Sequence, residues 1–207
     1  MTSAERPKRP VCPACRRPQS ACICQWVTPV AHTTEVLILQ HPLEVGHAKN
    51  SAGLLHQSLA YSQVVIGETF DSATLRDAMR EPKYTVLLYP CSALSPSPVP
   101  DATRLQDPSN LRLVVLDGTW RKSRKMLHRS PLLQQLPRLS LDDMPASQYR
   151  IRKAHQPGQL STLEATCAAL VQLEGGPERF QPLLNAFDGF VAQQMAFRLS
   201  PRAPHSR

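Results

Sequence analysis

The sequence predicts an α/β fold: a mostly parallel sheet with helices on both faces, preceded by a small N-terminal zinc knuckle. Three observations predict it. Five short apolar runs alternate with stretches of helical character, the pattern of strand–helix–strand units. The runs are continuous rather than alternately polar, as expected of strands covered on both faces. Four of the six cysteines fall between Cys12 and Cys24, ahead of the first run.

Taken in order, residues 1–10 are polar and rich in proline and arginine and read as a disordered tail. Residues 11–30 form the metal-binding segment. The α/β domain occupies 31–199, and 200–207 reads as a frayed tail. Strands are expected at 35–40, 63–66, 84–89, 111–116 and 138–141. Helices are expected at 48–60, 72–80, 119–129, 161–173 and 177–199. Residues 90–110 carry five prolines and read as a loop of about 20 residues, a length that marks a functional or disordered connection. A second irregular stretch, 144–159, contains Tyr149-Arg-Ile-Arg-Lys153.

A chain of 207 residues suits one domain with an appendage. Its 24 lysines and arginines against 16 acids give a formal charge of +8, which favours polyanionic partners, nucleic acid above all. No run of 18 apolar residues is present to span a membrane. The N-terminus has no apolar core of a secretory signal, so the expected location is cytoplasmic. In a reducing compartment clustered cysteines point to metal rather than disulfides. Cys12-x-x-Cys15-x6-Cys22-x-Cys24 supplies the four thiolates that tetrahedral zinc takes, and four protein ligands leave no open position for catalytic water. That zinc is therefore expected to be structural. Arg16 and Arg17, inside the knuckle, read either as phosphate contacts or as a solvated pair. Cys91 and Cys167 stand apart and read as buried small hydrophobes.

Ligands of open α/β sheets bind beyond the carboxyl ends of the strands. Four polar motifs are expected on that rim: Gln40-His-Pro-Leu-Glu44, Tyr89-Pro90-Cys-Ser92, Asp117-Gly-Thr119-Trp120 directly after Leu116, and Leu160-Ser161-Thr162-Leu-Glu164. His41 is either an acid–base group or a strand terminator. Asp117 is either a chemical carboxylate or the cap of the next helix, and Trp120 either shapes a site or packs in the core. Ser161 and Glu164 match a capping box, whose helix N-terminus also offers N–H groups to a ligand. Arg121, Lys122, Arg124 and Lys125, with Arg150, Arg152 and Lys153, read either as phosphate contacts or as solvated faces.

Together the cysteine quartet, Gln40-His-Pro-Leu-Glu44, Asp117-Gly-Thr-Trp120, Ser147-Gln-Tyr-Arg150 and Leu160-Ser-Thr-Leu-Glu-Ala165 resemble the DTW-domain family, over roughly residues 12–197. The resemblance implies a SPOUT-like fold, with or without a C-terminal knot, and tRNA-uridine aminocarboxypropyltransferase activity. It implies S-adenosylmethionine as donor substrate, with its 3-amino-3-carboxypropyl group moving to uridine N3 and 5′-methylthioadenosine leaving. Under it Asp117, Thr119 and Trp120 are the catalytic candidates, Asp117 as acceptor of the N3 proton. Gln40, His41, Pro42, Tyr89, Pro90, Leu116, Leu160, Ser161, Thr162 and Glu164 would hold the donor, and the seven basic residues would hold tRNA. A monomer is expected. The competing readings are an S-adenosylmethionine-dependent RNA methyltransferase and a zinc-containing RNA-binding module without catalysis.

Overall fold

A computed structural model describes residues 10–91, 97–141 and 160–199. At the centre of a five-stranded sheet, β1 (Glu35–Gln40) and β4 (Leu111–Asp117) lie side by side, with Gln40 opposite Asp117. The remaining strands are β2 (Ser62–Ile66), β3 (Tyr84–Leu88) and β5 (Arg138–Leu139), in the order β2-β1-β4-β3-β5. All pairings are parallel. After β1 the chain moves to one side of the sheet, to β2. After β4 it moves to the other, to β5. The carboxyl ends of β1 and β4 thus flank the point where chain direction diverges, the place where open sheets bind ligands.

Residues of each central strand alternate between two cores. Val36, Ile38, Leu113 and Val115 face α1 (Ala52–Ser58), α5 (Thr162–Glu174) and α6 (Pro177–Leu199). Leu37, Leu39, Val114 and Leu116 face α2 (Ser72–Ala78), α3 (Trp120–His128) and α4 (Pro131–Gln134). Cover on both faces explains why these strands read as continuous apolar runs. One cation inside such a run is accommodated at the sheet's amino end. Arg112 is buried, donates to Glu35 at 2.7 Å, and also donates to the carbonyls of Met79 and Glu81.

Several boundaries differ from expectation for identifiable reasons. The first helix begins at Ala52 rather than residue 48, because the carbonyls of Ala48 and Asn50 accept from the Arg17 guanidinium instead of from a helical ladder. β5 is an edge strand of only two residues, and Ser140 and Leu141 leave it to line a cavity. Helix α4, four residues opened by Pro131, is too short to show a period in the sequence. In the long proline-rich connection, short 3-10 turns form at Arg104–Gln106 and Pro108–Asn110. Cys167 is buried as expected, but Cys91 is exposed, because it follows Pro90 out of the sheet. Residues 142–159, Arg150, Arg152 and Lys153 among them, lie outside the described residues. No helix among the described residues is long and apolar enough to cross a membrane.

The N-terminal segment docks on the first core. Ile23 is fully buried there, and Trp26 lies across α6, its indole Nε1 donating to Gln193 at 2.6 Å. The ring rests against Gly189, where an added Cβ would overlap Cζ3 and Cη2 of Trp26. Alanine raises helix propensity by about 1 kcal/mol over glycine, but overpacking costs roughly 1–3 kcal/mol, and a rigid indole cannot swing clear. Gly189→Ala is therefore expected to lower the melting temperature by several degrees. An unchanged or raised melting temperature would show that Trp26 is free to move.

Candidate active site

A cavity of about 510 Å³ opens at the carboxyl ends of β3, β4 and β5. That volume lies within the roughly 300–1,000 Å³ of small-molecule sites. Its floor is apolar: Leu88, Val115, Leu116, Leu139 and Leu160. Tyr89, Pro90 and Trp120 form one wall, with the Tyr89 and Trp120 rings edge to face at 6.0 Å. Burial pushes the Tyr89 phenol upward, so it stays protonated and can donate. The opposite wall is the start of α5, Ser161 and Thr162. Arg121 stands at the edge and brings a cation to the cavity.

Behind Thr162 lies a cluster of polar side chains at the β1–β4 divergence. Asp117 is only 3% exposed. Its Oδ1 accepts from the Thr162 hydroxyl at 2.7 Å. Its Oδ2 accepts from Asn50 Nδ2 at 2.6 Å and Gln40 Nε2 at 2.9 Å. Gln40 also donates to Asn50 Oδ1 at 3.2 Å. Elements distant in sequence are thereby joined through one carboxylate. Asp117 does not itself line the cavity; Thr162 does.

This geometry sorts the expected residues. Tyr89, Pro90, Leu116, Thr119, Trp120, Leu160, Ser161 and Thr162 all line the cavity. Gln40 is behind it, bound to Asp117. His41 and Pro42 are not in the lining: His41 is buried and caps the Pro42–Glu44 turn, its Nδ1 accepting from the Leu43 N–H at 3.2 Å. Glu164 completes the capping box with Ser161, both bonds being present, so these N-terminal groups of α5 are satisfied internally. Asp117 is not the helix cap. Thr119 is, its hydroxyl accepting from the Lys122 N–H. Trp120 is not core, being 52% exposed. Asn50 escapes a reading of the sequence altogether, because a lone amide in a stretch of helical character carries no local signal of a carboxylate 67 residues away.

The basic face of α3 is divided in two. Lys122 pairs with Glu44 at 2.7 Å, and Lys125 with Glu68 at 3.2 Å. Lys125 is the main cause of the lowering of the Glu68 carboxyl. Arg121 and Arg124, three residues apart on the adjoining stripe, are exposed and have no carboxylate partner among the described residues.

In the knuckle, the sulfurs of Cys12, Cys15, Cys22 and Cys24 all lie within 4.8 Å of one another. Cys12–Cys24 and Cys15–Cys22 are 3.6 and 3.7 Å apart. Zinc–sulfur bonds of about 2.3 Å in tetrahedral array place sulfurs ~3.8 Å apart, so the four thiols fit a closed zinc site. Backbone N–H groups of Cys15 and Ala14 hold the Cys12 thiol down, while the neighbouring thiols push Cys24 up, so the four share protons as one cluster. Arg17 is neither a phosphate contact nor solvated. It is buried and turned inward, onto the carbonyls of Ala48 and Asn50.

The molecule is thus an α/β domain with a four-cysteine knuckle and a rim cavity backed by a buried carboxylate. This chain belongs to the DTW domain family, whose model matches residues 9–195. It is similar to tRNA-uridine aminocarboxypropyltransferase 2 of Drosophila melanogaster, 32% identical over 202 residues, covering 93% of this chain and 78% of the relative. Similarity to the protein of the same name from Macaca fascicularis is 28% over 200 residues, covering 91% of this chain and 64% of the relative. With tRNA-uridine aminocarboxypropyltransferase A of Arabidopsis thaliana it is 27% over 229 residues, covering 97% and 86%. No solved structure matches the chain.

Proposed function

We propose that this chain transfers the 3-amino-3-carboxypropyl group of S-adenosylmethionine to N3 of a tRNA uridine, forming acp3U and releasing 5′-methylthioadenosine. The names of its relatives support the reaction class. The observation that carries the mechanism is the pairing of an aromatic-walled cavity with a hydroxyl that is itself bound to a buried carboxylate.

Uridine N3 carries a proton at neutral pH and attacks only as that proton leaves. Asp117 is the acceptor, reached through Thr162: the hydroxyl takes the N3 proton while passing its own to Asp117 Oδ1. The N3 lone pair forms the new bond to carbon, the carbon–sulfur bond breaks, and sulfur keeps the pair. The sulfonium is already a good leaving group, so the remaining task is aiming the correct carbon. Leu116, Leu139 and Leu160 hold the donor's apolar parts, Tyr89 and Trp120 hold flat rings, and Arg121 pairs the donor carboxylate or an RNA phosphate. Thr119 sets the start of α3 and thereby the position of Trp120. Zinc at the four cysteines is structural.

Gripping tRNA falls to the exposed stripe of α3 rather than to its paired lysines. Reversing Arg121 and Arg124 to glutamate is expected to weaken tRNA binding at least tenfold. It should also flatten the salt dependence by about one unit for each phosphate no longer neutralised. Lys122→Ala and Lys125→Ala are each expected to change binding less than twofold, since each lysine already has a carboxylate partner. Filter binding across a salt series reads both.

Mass spectrometry of tRNA nucleosides from cells lacking the protein tests the function. Loss of acp3U is the expected result. Retained acp3U together with loss of a methylated uridine would replace this reading with methyl transfer.

A further inference from the structure

We propose that Arg17 is a positioning residue through which the cysteine knuckle fixes the Asp117 cluster. Its backbone belongs to the knuckle: the Cys12 N–H donates to the Arg17 carbonyl at 2.8 Å, between the turns that carry Cys15 and Cys22. Its side chain leaves the knuckle and is only 8% exposed. The guanidinium lies 5.5 Å from the centre of the Phe190 ring. One nitrogen donates to the Ala48 carbonyl at 3.0 Å and the other to the Asn50 carbonyl at 2.8 Å. Asn50, held there by its backbone, donates from its side chain to Asp117 Oδ2 at 2.6 Å and accepts from Gln40 and from the Gly53 N–H.

Three consecutive hydrogen bonds thus run from the metal-bearing turn to the carboxylate. Two carbonyls two residues apart suit the planar fork of arginine; a lysine ammonium is a single point donor. This segment is also where helix is expected and is not formed, so the Arg17 contacts replace the hydrogen bonds that a helical ladder would have supplied. Metal that orders the four cysteines therefore also orders Asn50, and Asn50 sets which way Asp117 presents its oxygens. The coupling to catalysis rests on the proposed transfer reaction; the coupling to Asn50 does not.

Arg17→Met and Arg17→Lys variants test it, each first assayed for bound zinc by elemental analysis. With zinc retained, Arg17→Met is expected to speed amide exchange at Asn50 and Gly53 at least tenfold while Leu113 in β4 is unchanged. It is expected to slow single-turnover transfer to tRNA at least tenfold, with Arg17→Lys intermediate. In an Asn50→Ala background, Arg17→Met should add less than a further twofold, because both act through one residue. Unchanged exchange at Asn50 and Gly53, or fully additive losses, would overturn the proposal. If Arg17→Met does not fold, zinc is stripped from the native chain with a chelator. Exchange at Asn50 and Gly53 rising ahead of Leu113 supports the coupling, and simultaneous rise at all three contradicts it. Exchange needs no turnover, so a wild-type protein that makes no acp3U would fail the proposed function and leave this inference to be judged separately.

Discussion

Asp117→Asn is expected to lower the rate of transfer to tRNA by a hundredfold or more while leaving the protein folded. The carboxylate offers acceptors on both sides: Oδ2 to Asn50 and Gln40, Oδ1 to Thr162. An asparagine offers one acceptor and one donor. Turning its oxygen to the two amides keeps those bonds and points its NH2 at Thr162, whose hydroxyl can rotate to accept. The cluster survives, but the hydroxyl no longer has a carboxylate to receive its proton, and proton transfer by a positioned group contributes about 10²–10⁴-fold. Asp117→Ala differs in kind. It strips the acceptor from Thr162 and from Asn50 Nδ2. The Asn50 donor, left buried and unsatisfied, costs about 1–3 kcal/mol of stability, while the Thr162 hydroxyl at the cavity can turn to water. Thr162→Val keeps shape and removes the hydroxyl; it should reproduce the Asp117→Asn rate loss. Single-turnover kinetics alongside thermal melts separate the two effects. Near-normal transfer by Asp117→Asn would remove proton acceptance from its role and leave it as the joint between β1, β4 and α5.

Removing the metal is expected to have the second largest effect. Elemental analysis should find one zinc per chain. Without it nothing covalent or ionic holds four sulfurs at contact, and the segment that buries Ile23 and Arg17 comes loose. Burying an isoleucine side chain contributes about 1.5–3 kcal/mol, and each charge-assisted bond from Arg17 about 1.5–3 kcal/mol. At about 2–4 °C per kcal/mol for a chain of this size, a chelator or Cys22→Ser should lower the melting temperature by more than about 10 °C. Ligand thiols must be deprotonated to bind metal, so acid should have the same effect. Full stability in a metal-free preparation would show that the four thiols hold the knuckle alone.

What the sequence reveals follows distance along the chain. Strands are legible because sheet cover on both faces leaves a nearly continuous apolar run, as in Leu113-Val-Val-Leu116 within β4. Three of the rim motifs are legible because they sit immediately after those runs, and the fourth because its capping box marks the start of α5. The knuckle is legible because its ligands are neighbours. The joint at Asp117 is not, since Asn50 and Thr162 reach it from 67 and 45 residues away. The two stripes of α3 are equally hidden: Lys122 and Lys125 look like Arg121 and Arg124 until Glu44 and Glu68 are brought beside them. Arg17 is hidden for the same reason. Its sequence neighbours suggest an exposed basic turn, and only the docking of the knuckle turns it inward.

The most direct test of the transfer reaction uses purified protein, tRNA and S-adenosylmethionine labelled either in the aminocarboxypropyl chain or in the methyl group. Label is predicted to enter tRNA only from the aminocarboxypropyl chain, as acp3U, with 5′-methylthioadenosine formed in equal amount. Methyl label in tRNA accompanied by S-adenosylhomocysteine would contradict it.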